Sequence, residues 1–407
     1  MLLVVMDNSV SYINEKNISI AIIALLVLQA VGFSKVSLFI TTYCEWFCMI
    51  YILYNAIIYK HIAIKEERIN GHRLLNIYLL YVGVIFIRGL FDSHDYWDYK
   101  EVLSKSLKLT APCVIYFAWE LSILSRIIRF LCRWYSWIGI ALMIPALWQL
   151  VTLNFLPVLT LVNFLKRRYK IVLLVVLAIC FVSFVEMRST LARYCFGAGL
   201  IMCYSFRHII SFHKVSRMIF YVFLSVPLIF IPLGYSGTFN IFDMDSYMSK
   251  DTMSDQSDTR SALYVMVNQQ LEKRNETIYG MGAISPYWIG FFKNQKNLKA
   301  GVSQRARSAT ESGFLNQYLY GGIIGATMFS LFFILASFYG IFRSNNDIVK
   351  VIGAFIIFRW NISFIDETEN WIFNNFVLFL MIGICLTPKL REWSNEEWKE
   401  WFLVNRL

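Results

Sequence analysis

Twelve apolar runs, at 18–33, 36–59, 74–91, 109–125, 134–150, 151–165, 171–185, 190–206, 218–233, 314–342, 348–360 and 371–386, leave this chain few ways to fold. A helix needs roughly 20 apolar residues to cross a bilayer core about 30 Å thick. Backbone polar groups in lipid must be satisfied within the segment, so the runs predict helices. Only 16% of residues are charged and 57% are hydrophobic, against roughly 25% charged in soluble domains. The expected fold class is therefore an all-α polytopic integral membrane protein of about 12 transmembrane helices. The fifth and sixth spans join through Asn154 and Pro157 with little polar punctuation.

Charge fixes the expected orientation. The net charge of +11 is concentrated in hinges between apolar runs, at 60–73, 126–133, 166–170, 207–217 and 343–350, and all five fall on one side of the alternation. Basic hinges mark the cytoplasmic side, so both termini are expected there and the long polar loop 234–310 outside. Anionic lipid heads account for the basic charge, and nucleic acid is not implied. The chain divides into spans one to nine at 1–233, a loop with short helices at 234–310, spans ten to twelve at 311–388 and a cytoplasmic tail at 389–407. The first span reads as an uncleaved signal anchor. Seven of eight cysteines lie in apolar runs and the loop has none, so no disulfide framework is expected.

Polar and apolar sequence meet at 305–325, RARSATESGFLNQYLYGGIIG, where Glu311 stands at the entrance to a long apolar helix. A carboxylate in a first helical turn is also a capping residue, favoured by up to about 1 kcal/mol. The predicted outer face carries Arg88, Arg188, Arg193, Arg260, Arg274, Arg305, Arg307 and Arg359, with the carboxylates Asp92, Glu186, Glu311, Asp366 and Glu367. An arginine in apolar sequence costs about 2.5–3.5 kcal/mol at a helix centre; snorkelling or an ion pair such as Glu186 with Arg188 is the ordinary explanation. Several guanidinium groups on one face also suit a phosphate or diphosphate, which they bind bidentately.

The chain has no P-loop, no G-x-G-x-x-G after a strand and no H-E-x-x-H helix. Its five histidines form no cluster, and Asp243 with Asp245 reads as solvated loop. No metal or cofactor is expected. Energy for any reaction must arrive with the substrate, as an activated lipid diphosphate supplies it.

Three stretches resemble the bacterial O-antigen polymerase and O-antigen ligase superfamily of integral membrane glycosyltransferases. VEMRSTLARY at 185–194 is similar to the family's Ser-Arg segment opening a span, with Arg188 in place of its arginine and Met187 in place of the serine. RSALYVMVNQQL at 260–271, followed by IYGMG at 278–282, looks like the family's arginine, short helix and G-x-G turn. ESGFLNQYLYGG at 311–322 is similar to the ligase motif of histidine, then Asn, Ser or Gln, then a leucine, except that Glu311 stands where ligases have histidine. That departure favours the polymerase branch.

The resemblance implies a GT-C-like fold in the bacterial inner membrane, with the site facing the periplasm. It also implies substrates that are glycans linked to undecaprenyl diphosphate and a chain-length-regulating co-polymerase as partner beside the membrane lipids. Glu311 would be the general base, a role worth roughly 10²–10⁴-fold in rate. Arg188, Arg260 and one of Arg305 or Arg307 would hold the diphosphate, with Arg88, Arg359 and Ser312 as secondary substrate contacts. A ligase that hands glycan to lipid A core, and a flippase whose arginines line a cavity, are the alternatives.

Overall fold

The computed structural model describes residues 15–25, 28, 38–65, 68–127, 129–130, 171, 175, 188–209, 211–235, 259–285, 287–288, 306–307, 309–310, 312–366 and 373–404. Eleven helices organise these residues: α1 Leu38–Lys65, α2 His72–Phe91, α3 Tyr96–Leu109, α4 Arg188–Ser205, α5 Phe212–Tyr235, α6 Thr259–Lys273, α7 Gly313–Phe342, α8 Asp347–Ile362, α9 Phe373–Leu386, α10 Pro388–Glu392 and α11 Asn395–Val404. Residues 15–25 are helical as well. The strands β1 Tyr287–Trp288 and β2 Ala306–Arg307 pair antiparallel, Tyr287 opposite Arg307. Among the described residues, three helices, α2, α7 and the Phe212–Ile229 part of α5, are long and apolar enough to cross a membrane, and a bent pair makes a fourth if it counts as one span. The described chain is thus a helical assembly with apolar spans, as the sequence requires. The expected fifth and sixth spans, and most of the seventh, lie outside the described residues.

Apolar periodicity sorts the helices into edge and centre. In α2 the buried positions are Leu75, Tyr78, Val82, Ile85 and Gly89, and the exposed large apolar ones are Ile77, Leu80, Val84, Ile87 and Phe91. Both sets follow the three- and four-residue steps of one helical face. A helix apolar on both faces but buried on only one has its outer face suited to lipid. α8 is different, because every residue from Ile348 to Trp360 except Lys350 is buried, which makes it the central helix. α7 and α8 form a close hairpin. Ser337 donates to the Gly353 carbonyl at 2.8 Å, and a Cβ on Gly340 would stand 3.1 Å from the Val349 carbonyl oxygen.

Caps fix the ends of that hairpin. Asn346 accepts the Val349 amide at 2.8 Å through Oδ1, and its Nδ2 donates to the carbonyls of Leu390, Arg391 and Trp393. One side chain therefore ties the start of α8 to the segment around α10. At the same end of the molecule the Asn70 amide donates to the Leu386 carbonyl at 2.8 Å, which sets α2 beside α9.

The fourth span differs from the expected 109–125. α3 begins at Tyr96, with Asp95 accepting the Asp98 amide at 2.8 Å as its cap, and runs back along α2 until Tyr78 donates to the Leu109 carbonyl. A 3₁₀ helix follows at Ala111–Phe117, wholly buried, and the chain then bends by 116° into Leu121–Ile127. The lysines and glutamate of α3 keep that helix outside the expected apolar run, although the bent pair as a whole is apolar enough for one span. Lys105 neutralises one of them by pairing with Glu101 at 2.6 Å and donating to the Ala283 carbonyl at 2.9 Å.

Candidate functional site

The start of α7 is built from short polar side chains turned onto the backbone. Ser312 is the N-cap and accepts the Leu315 amide at 3.2 Å. Thr310 gives its amide to Asn316 Oδ1 at 2.6 Å and receives Asn316 Nδ2 on its carbonyl at 3.0 Å, so the chain around position 311 is closed by a reciprocal pair. Serine, threonine and asparagine suit this place because their side chains compete for backbone groups that a helix end leaves unpaired.

The turn after α8 is the other wall. Gly313 donates its amide to the Asp366 carbonyl and Phe314 to the Ser363 carbonyl, both at 2.9 Å. Ser312 Oγ donates to the Ser363 carbonyl at 3.0 Å, and Phe314 stacks on Phe364. From α6, the Tyr264 hydroxyl donates to the Phe364 carbonyl at 2.7 Å and lies 3.2 Å from Ser312 Oγ. Burial pushes the Tyr264 phenol well above its ordinary value, with the Ser312 contact acting in the opposite sense, so Tyr264 stays a neutral donor.

Positive charge gathers behind this turn. Arg193 of α4, buried, makes a 2.7 Å ion pair with Asp366. Arg359 is wholly buried one turn before Ser363, within electrostatic reach of both Arg193 and Asp366. Its Nη2 donates to Asn375 Oδ1 at 3.3 Å, and its Nε and Nη1 have no hydrogen-bond partner among the described residues. Among the described residues, two guanidinium groups share this buried setting with the Asp366 carboxylate.

A second network lies about ten residues further along α7. The helix breaks at Gly322, whose φ of 59° and ψ of −158° are open in practice only to glycine. The turn between α6 and β1 fills the break. Met281 and Gly282 donate to the carbonyls of Leu319 and Tyr320 at 2.8 and 3.0 Å, while Ile323 and Ile324 donate to those of Thr277 and Ile278 at 3.0 and 3.3 Å. A Cβ on Gly280 would stand 2.5 Å from the Gly321 nitrogen, so the two backbones touch. Arg88 holds this turn, giving Nη1 to the Gly280 carbonyl at 2.6 Å and pairing with Glu276. Tyr81 adds a hydroxyl shared between the carbonyls of Gly321 and Tyr279.

The two networks divide the residues singled out from the sequence. Ser312 and Arg359 share the first, where Ser312 is a cap and Arg359 a buried charge. Arg88 belongs to the second, where both of its contacts are to protein. Arg188 opens α4, five residues before Arg193; Arg260 precedes Tyr264 by four residues in α6; Arg307 lies in β2; the side chains of these three lie outside the described residues, as do Glu311 and Arg305 entirely. Tyr264, Thr310 and Asn316 were not marked by the sequence. Tyr264 and Asn268, four apart on α6, reach Ser312 and Tyr318 on α7, a helical spacing that held the only clue. Comparison with protein-family models, with curated proteins and with solved structures returns no match to this chain.

Proposed function

We propose that this chain is a membrane glycosyltransferase that polymerises oligosaccharide repeat units carried on undecaprenyl diphosphate into O-antigen or a related surface polysaccharide. The observation that carries this reading is the burial of Thr310 and Ser312, the neighbours of position 311, against a turn backed by Arg193 and Arg359.

In the proposed reaction a sugar hydroxyl of a new repeat unit attacks the anomeric carbon of the growing chain. The bond from that carbon to the diphosphate oxygen breaks, and undecaprenyl diphosphate leaves with the electron pair. Glu311 takes the hydroxyl proton. Arg188, Arg260 and Arg305 or Arg307 stabilise the charge that develops on the leaving group. No metal or cofactor takes part. The reading carries twelve spans in a GT-C-like fold of the bacterial inner membrane, both termini cytoplasmic, the site facing the periplasm and a co-polymerase setting chain length.

The break in α7 favours a second reading, a polysaccharide flippase, because transporters build their sites at discontinuous helices. Against it, the backbone groups of Leu319, Tyr320, Ile323 and Ile324 at this break are taken by the turn.

Glycan length on a gel separates these functions, using cells that lack the gene and carry wild type, Glu311→Gln, Arg188→Ala or Arg260→Ala at matched membrane levels. A polymerase leaves core capped with a single repeat unit in the deletion and in each variant. A ligase loses all glycan from the core while long chains collect on the carrier. A flippase loses glycan from the outer face altogether. Long chains persisting in every variant would remove these residues from the site.

A further inference from the structure

The four backbone groups of α7 that bind the turn are the partners they would have in an unbroken helix. In a continuous α7, the Ile323 amide would donate to the Leu319 carbonyl and the Ile324 amide to the Tyr320 carbonyl, each four residues back. Here the same two carbonyls accept from Met281 and Gly282, and the same two amides donate to Thr277 and Ile278. Removing the turn would therefore leave α7 with no unpaired group, because its own rungs can close. Such a replacement is what an apolar surrounding demands of a helix that changes its partners.

The turn ends a strap. α6 lies along the first part of α7 and is tied at three levels: Tyr264 to Ser312, Asn268 to Tyr318 at 2.8 Å, and the turn to the break at Gly322. The last tie is fastened from α2 by Tyr81 and Arg88. Two of the glycines that make the contact sit back to back. A Cβ on Gly322 would overlap the Ile278 carbonyl and stand 2.6 Å from the Gly280 nitrogen.

We propose that α7 and the 277–282 turn form a helix-to-loop exchange that releases one end of α6, a strap over the Thr310–Ser312 stretch, with Tyr81 and Arg88 as its latch. In the closed form the turn replaces two helical rungs. In the open form α7 runs straight through position 322, the turn is hydrated, and α6 swings about its Tyr264 end. The device is independent of the reaction proposed above.

Hydrogen exchange on the full chain in lipid nanodiscs tests it, followed in peptides covering 277–283 and 319–326. The double variant Tyr81→Phe with Arg88→Gln removes the Tyr81 hydroxyl and the reach and charge of the Arg88 guanidinium, and its monodispersity on size exclusion verifies folding. The turn amides are expected to exchange at least about tenfold faster than in wild type, while Ile323 and Ile324 stay within about threefold because their helical rungs close. Gly322→Ala, which forbids the break but suits a helix, should give the same asymmetry without touching the latch. Loss of protection at the turn and at Ile323 and Ile324 together would overturn the exchange. An unchanged turn in the double variant would overturn the latch. Should Gly322→Ala fail to fold, the double variant alone decides between these outcomes.

Discussion

Arg193 and Asp366 meet at 2.7 Å with the arginine 3% and the aspartate 29% exposed, and the aspartate's own carbonyl caps the Gly313 amide. One residue thus joins α4 to the entrance of α7 through two different atoms. Breaking a buried pair from one side leaves an uncompensated charge, at a cost of roughly 3–5 kcal/mol. Asp366→Leu alone should lie near the lower end, about 3 kcal/mol, because its carboxylate is partly wet. Arg193→Met with Asp366→Leu together should recover most of that loss. Thermal unfolding in detergent of the two single variants and the double variant checks the cycle; a double variant as unstable as the sum of the singles would contradict it.

Ser312→Ala removes the cap of α7 and a donor to the Ser363 carbonyl. Loss of a serine cap costs about 0.5–2 kcal/mol. Ser312→Thr, which keeps the hydroxyl, should retain most of the stability. The same unfolding measurement reads both, and an alanine variant as stable as wild type would exclude a capping role.

Glycine substitutions should separate packed from open helix faces. A Cβ on Gly383 would overlap Ala118 and stand 2.9 Å from the Ile115 carbonyl, whereas one on Gly83 meets nothing within 4 Å. Gly383→Ala is expected to destabilise by about 1–3 kcal/mol or more through overpacking. Gly83→Ala is expected to stabilise by about 0.5–1 kcal/mol, since alanine loses less freedom on forming a helix. Melting temperatures should move in opposite directions.

At the far end of the chain, Ser394 and Glu397 form a capping box at the start of α11. The Ser394 amide donates to Glu397 at 2.6 Å, and the Glu397 amide donates to Ser394 Oγ. The Ser394 hydrogen bonds hold the Glu397 carboxyl below its ordinary value of 4.5. A depressed carboxyl stabilises the folded form above its unfolded value and loses that contribution as pH falls through the folded one. Protection of the amides in peptides covering α11, taken relative to their intrinsic exchange rate at each pH, should therefore fall on acidification below about pH 4.5. Glu397→Gln, which can still accept the Ser394 amide, should remove this pH dependence while keeping the helix.

Local chemistry was legible in the sequence where one element contained both partners. The two apolar faces of α2 follow from the spacing of Leu75, Tyr78, Val82 and Ile85, whereas the cap of α7 is Ser312, and the sequence reading assigns capping to Glu311 and substrate contact to Ser312. The break at Gly322 was not legible. Two adjacent glycines cost a helix only about 1 kcal/mol each, so 314–342 reads as one unbroken span, and the turn that fills the gap lies some forty residues upstream. Arg88 shows the same limit. Its apolar surroundings mark it as unusual, but its partner Glu276 is 188 positions away, and a contact to protein looks from sequence like one to substrate. Lys105 and Glu101 kept α3 out of the expected 109–125 run for the opposite reason, since charges that neutralise each other inside the fold still count as polar in a hydropathy window.

The central position of α8 bears on how the chain is assembled. Sixteen residues make a helix about 24 Å long, short of a bilayer core of about 30 Å, and Arg359 adds the insertion penalty of a charged side chain. α8 is thus a poor client for insertion by itself. α7, thirty residues long and apolar enough to cross a membrane, is a good one, and the Ser337 to Gly353 and Asn346 contacts bind the two into a hairpin. The biosynthetic machinery would have to accept them as a pair, so the order of the genetic message, with α7 emerging first, is itself part of what lets a buried arginine reach the middle of this protein.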